Sequence, residues 1–251
     1  MTQAQPIGAV LDATVTTDPS RPLLTYYDHQ AGDRVELSAA TLRNWVDKTA
    51  NLLVDVVGAG AGSRVGIDLP AHWQAVVWLL ACWRVGAVVT SVDGVDVAVV
   101  GPDPLMTASW PEAPEVVATA LHPLGARFEE PLPVGVLDYG AEVFAQGDTF
   151  SPGVPVAAGL PGWDRGSDLL DQAALLAAGT TRWVELGLTT GGRLLTATDP
   201  TTLVGIAEVV LGPLLVDGSV VLVRNPDPAQ CAELISTERV DVSAVGASAA
   251  L

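Results

Sequence analysis

The chain has 251 residues, of which 49% are hydrophobic and 16% charged, which excludes a largely disordered protein and allows one substantial core or two lobes. The formal net charge is −17, and Lys48 is the only lysine. Nucleic acid and anionic membrane surfaces are therefore excluded as expected partners, because both need clustered Lys and Arg to neutralise phosphate.

Metal and redox chemistry have little support in the sequence. His29, His72 and His122 are scattered, and Cys82 and Cys231 stand far apart within helix-like segments. None of these spacings is that of a metal site or a disulfide framework. No cationic stretch followed by an apolar one opens the chain, so we predict no signal peptide, no membrane span and a cytoplasmic location.

The chain is predicted to begin with a short helix or tail, followed by a hairpin and a long helix. Leu23–His29 and Arg34–Ser38 have strand-like composition on either side of a turn-rich tetrad, "QAGD". Apolar residues then recur at helical spacing from Leu42 to Val56, and Ser38 is placed to cap that helix. Lys48 is expected on the solvated face of the helix, between Trp45 and Leu52.

A glycine cluster, Gly58–Ser63, follows this helix and has two interpretations. Glycines at alternate positions suggest a dinucleotide-binding turn, but that turn needs a strand before it and a helix after it. Here a helix precedes the cluster and the strand "RVGIDLP" follows it. We therefore interpret the cluster as a helix-to-strand turn.

From Arg64 onward the pattern is that of a parallel α/β sheet. Arg64–Pro70 is a short apolar strand, Ala71–Ala87 is a helix that is apolar nearly all round, and "VVTSVD" and "VDVAVVGPD" are further strands. A strand, a buried helix and a second apolar strand form a βαβ unit, whose parallel sheet is covered on its faces. We predict that these three strands lie side by side.

Residues 144–166 are rich in Gly, Pro and Ala, which predicts a connection between two lobes, 1–143 and 167–251. The second lobe repeats the alternation of elements. Its helices are expected over Asp168–Leu186, Pro200–Leu215 and Pro228–Arg239, and its strands over Arg193–Asp199, Ser219–Asn225 and Val240–Val245. The fold class is therefore α/β, with parallel-sheet layers and helices on both faces.

The segment "LTTGGR" raises the question of a phosphate-binding loop. Such a loop lies between a strand and a helix, with a Lys or Arg that reaches the anion. Thr189–Gly192 lies between a helix and a strand, no lysine follows it, and Arg193 is expected to reach solvent. We interpret the segment as a turn in which Gly191 or Gly192 has a positive φ.

Several segments, taken in order, resemble the adenylate-forming enzymes, the AMP-binding superfamily of acyl-CoA synthetases and luciferases. Near the start these are Thr49–Leu53, Arg64–Pro70 after a glycine, and Gly86–Val89. Further on, "LGLTTGGRLLTATDPTTLVGI" and "PLLVDGSVVLV" are similar to later parts of that family. The resemblance covers most of residues 20–248 and implies the α/β scaffold of the family's N-terminal domain.

The resemblance also places the family's Ser/Thr- and Gly-rich phosphate loop between Val154–Ala158 and a helix near Asp168. The chain has "GLPGWDRGS" there, without threonine or lysine, and Asp164 would repel phosphate. Arg165 is the one candidate anion contact and is expected to be solvated. The family's adenine-pocket motif, ribose-binding Asp and C-terminal lid with its catalytic Lys have no counterpart up to Leu251, so the resemblance implies a truncated member.

We therefore expect one domain over residues 1–251 that is a non-catalytic, AMP-binding-like binding or interaction module. No catalytic, cofactor-binding or metal-binding residue is assigned, and no cofactor is expected. A second copy or a protein partner is expected to cover surface left by the truncation. The alternative is part of an acyl-adenylate-forming ligase whose missing motifs come from a partner polypeptide, and only this hypothesis involves ATP, AMP or CoA.

Overall fold

The computed structural model describes residues 4–91, 94–107 and 112–246. The chain divides into two compact units. Unit 1 consists of Met1–Ala9, Arg43–Leu69 and Val77–Ala174. Unit 2 consists of Val10–Leu42, Pro70–Val76 and Leu175–Leu251. The lobes expected at 1–143 and 167–251 are consecutive along the chain, whereas these units are assembled from interleaved segments.

Helices and strands alternate along the chain. The strands are β1 (Pro22–Asp28), β2 (Asp33–Ser38), β3 (Arg64–Asp68), β4 (Val88–Thr90), β5 (Val97–Val100), β6 (Glu115–Ala118), β7 (Val136–Asp138), β8 (Pro161–Asp164), β9 (Leu169–Asp171), β10 (Arg193–Thr196), β11 (Ser219–Arg224) and β12 (Val242–Ser243). The helices are α1 (Ile7–Thr17), α2 (Ala39–Asp55), α3 (Trp73–Val85), α4 (Pro102–Thr107), α5 (Tyr139–Glu142), α6 (Gln172–Glu185), α7 (Leu203–Gly205), α8 (Gly212–Leu215) and α9 (Pro228–Thr237). A 3₁₀ turn, Val143–Ala145, follows α5, and a π-helical segment, Ile206–Leu211, joins α7 to α8. None of the helices in the described part of the chain combines the length and hydrophobicity needed to span a bilayer.

Unit 1 contains a seven-stranded sheet in the order β7-β6-β5-β3-β4-β8-β9, parallel except for the β8–β9 pair. Val65 of β3 pairs with Val89 of β4 on one side and with Val97 of β5 on the other. The predicted side-by-side arrangement of these three strands is confirmed. Strands β4 and β5 are buried along their whole length, as parallel strands covered on both faces must be.

Helix α3 is buried along its whole length, as its apolar composition predicts. Trp73, Trp78 and Trp83 are each at most 1% exposed. Within unit 1 the indole N–H of Trp83 donates to the carbonyl oxygen of Gly162 at 2.8 Å, so that its polar atom is satisfied inside the core.

Unit 2 contains a five-stranded sheet in the order β12-β10-β11-β1-β2. The predicted hairpin is confirmed, because β1 and β2 pair antiparallel, and the other pairs in this sheet are parallel. Ser38 caps α2 as expected, since its hydroxyl accepts the N–H of Thr41 at 3.1 Å. A cluster of buried side chains from β10, β11 and α9 forms the core beside this sheet; its members are Leu195, Val221, Val223, Cys231 and Leu234.

Both glycine-rich turns are confirmed by the structure. Gly58 and Gly62 have φ of +75° and +84° in the connection between α2 and β3. Gly191 has φ of +80° between α6 and β10. Only glycine adopts this region without strain, which explains its presence at these positions.

Three predicted boundaries are wrong. Residues 144–166 are not only a connection, because residues 161–164 form β8 and Trp163 pairs there with Val89. Leu169–Asp171 is strand β9 rather than helix, and α6 starts after Asp171, whose carboxylate accepts the N–H of Ala174 at 2.7 Å. The helix expected from Pro200 starts at Leu203. Pairing between strands and side-chain capping decide these boundaries, and local composition does not reveal them.

Candidate functional site

The hairpin of β8 and β9 lies where the resemblance places a phosphate loop. Strand β8 pairs in parallel with β4, and Asp164 is the register partner of Thr90, so both residues stand at the carboxyl ends of their strands. The four connecting residues, 165–168, are exposed, and Gly166 has φ of +82°. Carboxyl ends of parallel strands are the usual place for ligands in α/β sheets, which makes this loop the first candidate site.

The backbone N–H groups of this loop are used within the loop itself. Gly166 N–H donates to Oδ1 of Asp164 at 2.7 Å, Arg165 N–H donates to the carbonyl oxygen of Asp168 at 3.1 Å, and Ser167 N–H donates to that of Arg165 at 3.1 Å. A phosphate-binding loop instead presents consecutive N–H groups to its ligand. Here a carboxylate of the protein accepts one of them.

The other oxygen of Asp164 is bound by Arg64, the first residue of β3. Nη1 of Arg64 donates to Oδ2 of Asp164 at 2.6 Å, Nη2 donates to the hydroxyl of Thr90 at 3.2 Å, and Nε donates to the carbonyl oxygen of Gly94 at 3.1 Å. The Gly166 N–H, and next the Arg64 guanidinium, lower the pKa of Asp164. The carboxylate is therefore held in its charged form by two donors.

Arg165 and Arg193, the two arginines considered above as possible anion contacts, have different surroundings. Arg165 is exposed, as expected. The expectation that Arg193 reaches solvent is wrong: its side chain is 13% exposed, and Nη2 donates to Glu238 at 2.5 Å and to Thr25 at 2.9 Å. Strand neighbours far away in sequence supply these acceptors. Arg193 therefore has a structural role inside unit 2.

Lys48 was expected on the solvated face of its helix, and this expectation is also wrong. Its side chain is 15% exposed, and Nζ donates to the carbonyl oxygen of Gln146 at 2.6 Å and pairs with Asp148 at 2.8 Å. The only lysine thus anchors the segment after α5 onto α2. Because its ammonium group binds Gln146 and Asp148 of this segment, its position offers no support for a role with phosphate.

Among the described residues, the carboxylates of Asp47 and Glu208 are fully buried. Glu208, in the π-helical segment, accepts from Arg182 at 2.9 Å and from the Thr196 hydroxyl at 2.9 Å, and its carbonyl oxygen accepts the indole N–H of Trp183. Asp47 of α2 forms the second buried cluster. Its arginine partners are Arg43 at 3.3 Å and Arg84 at 2.5 Å. For Glu208 the sequence signal available was an acid within an otherwise apolar helical run.

His72 and the two cysteines have structural surroundings. His72 is buried, its Nδ1 accepts the N–H of Gln74 at 3.2 Å, and its ring lies 4.6 Å from that of Tyr26, so it has a capping and packing role. Cys82 and Cys231 are free and buried, and burial raises the pKa of Cys82 to about 12. Within the described ranges, no three His, Cys, Asp or Glu side chains are grouped closely enough to hold a metal ion.

Unit 2 also contains a cleft of about 420 Å³ beside the carboxyl ends of its strands. Helix α9 forms one wall with Cys231, Ala232 and Ile235. The other wall consists of Ser243, at the end of β12, and of Val245 and Gly246, which follow it. The lining is mainly apolar, and Ile235 is 43% exposed. Volume, lining and position are those of a small-molecule site.

The comparisons with known proteins agree with this architecture. A family model described as "AMP-binding enzyme" matches residues 11–94. A crystal structure of Brucella canis acyl-CoA synthetase superposes with a TM-score of 0.79 over 96% of this chain and 47% of that one, at 22% sequence identity. The chain thus spans about half the length of that synthetase and shares the fold of its N-terminal domain. The matched segment and the shared fold are those of the adenylate-forming, AMP-binding enzymes, which this chain is therefore similar to.

The relatives refine this assignment. A Mycobacterium tuberculosis protein described as a "TIGR03089 family protein" is 40% identical over 239 residues, which are 93% of this chain and 95% of that protein. The chain belongs to this TIGR03089 family. An acetyl-coenzyme A synthetase of Streptomyces avermitilis is 38% identical over 69 residues, 28% of this chain but only 10% of that enzyme. Another, from Gemmatimonas aurantiaca, is 40% identical over 68 residues, again 10% of its length.

Proposed function

We propose that the protein is a non-catalytic member of the AMP-binding superfamily that acts as a binding or interaction module. The observation that carries the proposal is the Asp164 carboxylate in the β8–β9 loop. It accepts the N–H of Gly166 and binds Arg64, at the place where the resemblance puts phosphate. The loop therefore carries negative charge where a nucleotide would need donors.

The chemistry of adenylation explains why this matters. A carboxylate must attack the α-phosphorus of ATP in line while the charge on the β- and γ-phosphates is neutralised, so catalysis is mainly positioning and electrostatic stabilisation. In this loop Asp164 and Asp168 add negative charge, and the sequence "GLPGWDRGS" contains no lysine or threonine. The net charge of −17 adds long-range repulsion of ATP.

The binding role is proposed for the cleft between α9 and the end of β12. Its mainly apolar lining suits a small apolar group, such as an acyl chain, better than a phosphate. A thermal-shift screen with acyl-CoAs, CoA, ATP and AMP separates these ligand classes, because only compounds that bind the folded protein raise its melting temperature.

The proposal of a non-catalytic protein is tested by ATP–pyrophosphate exchange. The purified chain is assayed with a panel of short, long and aromatic carboxylic acids, and an active acyl-CoA synthetase serves as the positive control. We expect exchange at the background level for every acid. Exchange above background that persists through re-purification would contradict the proposal. Exchange that appears only after addition of a second protein would replace it with the alternative, a ligase completed by a partner polypeptide.

A further inference from the structure

The two oxygens of Asp164 are bound by donors from different parts of unit 1. Oδ1 accepts the N–H of Gly166 at 2.7 Å, and Oδ2 accepts Nη1 of Arg64 at 2.6 Å. The first bond is a local turn that Asp forms readily with the second residue after it. The second joins residues that are 100 positions apart in sequence. The local turn therefore explains the bond from Gly166 but not the bond from Arg64.

The guanidinium of Arg64 is held in place independently of the carboxylate. Its Nη2 donates to the hydroxyl of Thr90, and its Nε donates to the carbonyl oxygen of Gly94. These bonds orient the guanidinium plane so that Nη1 faces the loop. A donor group fixed in this way loses little entropy when it binds an anion.

The same donors suit other oxyanions. Guanidinium and backbone N–H groups bind carboxylate and phosphate oxygens with similar geometry, and the bonds are strengthened by charge. The Arg64 side chain is 32% exposed and the loop residues 165–168 are exposed, so a dissolved anion can reach the donors. What keeps such an anion out is the Asp164 carboxylate already bound there.

We propose that Arg64 and the N–H of Gly166 form an oxyanion site that the protein's own Asp164 carboxylate occupies, and that phosphate-type anions enter it when this carboxylate is removed. The proposal deepens the proposed function and rests on it, because it names the group that blocks the loop. As part of the same chain, the Asp164 carboxylate has a high effective concentration at the site, so the wild-type protein resists exchange with free phosphate.

The test compares two single variants of the full chain, Asp164→Ala and Asp168→Ala. Both remove one negative charge from the same hairpin, but only Asp164 contacts Arg64. Binding of inorganic pyrophosphate is measured by calorimetry for both variants and for the wild type. We expect pyrophosphate to bind Asp164→Ala about tenfold more tightly, or more, than it binds Asp168→Ala or the wild type, because only this variant frees the donors.

The double variant Asp164→Ala/Arg64→Gln completes the test and is expected to lose the gained affinity. Equal binding of pyrophosphate by both single variants would show a general charge effect and overturn the proposal. A folded Asp164→Ala that binds pyrophosphate no more tightly than the wild type would also overturn it. If Asp164→Ala fails to fold by circular dichroism, Asp164→Ser takes its place, since a serine hydroxyl can accept the Gly166 N–H without occupying the arginine. Wild-type exchange activity would refute the proposed function separately, since this binding test does not depend on catalysis.

Discussion

Two carboxylates, Glu208 in unit 2 and Asp164 in unit 1, have similar partners and opposite surroundings. Glu208 has no exposed surface and accepts from Arg182 and from a threonine hydroxyl. Asp164 accepts from Arg64 and from a backbone N–H at the edge of an exposed loop. The same kind of pairing stabilises the core in a buried setting, and at a partly exposed loop it holds donor groups that would otherwise bind other anions.

The π-helical segment and one glycine explain why Glu208 is so well enclosed. The carbonyl oxygen of Glu208 accepts the indole N–H of Trp183 at 2.9 Å. A Cβ at Gly212 would lie 1.7 Å from that indole nitrogen, so the indole can approach only because position 212 has no side chain. The helix therefore has a local irregularity where it must accommodate a tryptophan and a paired charge.

The largest expected effect in this comparison is that of Glu208→Gln on stability. The substitution leaves the Arg182 guanidinium, which is 21% exposed, without its buried counter-charge. We expect the free energy of unfolding to fall by about 3 kcal/mol, the lower end for a broken buried pair because Arg182 still reaches solvent. Urea unfolding monitored by tryptophan fluorescence measures this value.

Glu185→Gln is the matched control for that prediction. Glu185 pairs with the same arginine at 3.8 Å, but its side chain is 52% exposed. Its loss should change the free energy of unfolding by no more than about 0.5 kcal/mol, as for other surface pairs. Equal effects of the two variants would show that burial does not distinguish the two pairs.

A smaller effect is expected from the pH dependence of Asp164. Its pKa is lowered by the Gly166 N–H and, next, by Arg64, so the carboxylate contributes stability above the unfolded-state pKa and loses it as pH falls through the folded-state pKa. The Gly166 amide proton should report this titration in NMR spectra, with a midpoint below the ordinary aspartate range. In Arg64→Gln the midpoint should rise. An ordinary midpoint that is unchanged by this substitution would contradict the role of Arg64.

Much of the fold could be predicted because many of its strands are indicated by the pattern of residues within the strand itself. The strands β3, β4 and β5 can be predicted from their own apolar runs, without knowledge of residues distant in sequence. The burial of α3 can be predicted because this helix is apolar nearly all round. Strand β8 was missed because Pro161 and Gly162 disfavour a strand, while pairing with β4 and burial of Trp163 outweigh that preference.

The candidate site was only half predictable. The resemblance located the loop and drew attention to Asp164, but its partner Arg64 lies 100 residues earlier, and no local pattern joins them. Arg193 and Lys48 were placed in solvent for the same reason, since their acceptors, Glu238 and Gln146, come from distant segments. Composition predicts which residues are charged, and only tertiary structure shows which charges are already paired.

The most direct test of the account is the response of the Gly166 amide resonance to MgATP. In the wild-type protein this N–H is bound to the Asp164 carboxylate, so we predict that its chemical shift stays unchanged while MgATP is titrated into ¹⁵N-labelled protein. A saturable shift of Gly166, accompanied by its loop neighbours Arg165 and Ser167, would mean that the nucleotide phosphates displace the carboxylate. That result would contradict the account in which the Asp164 carboxylate blocks this loop.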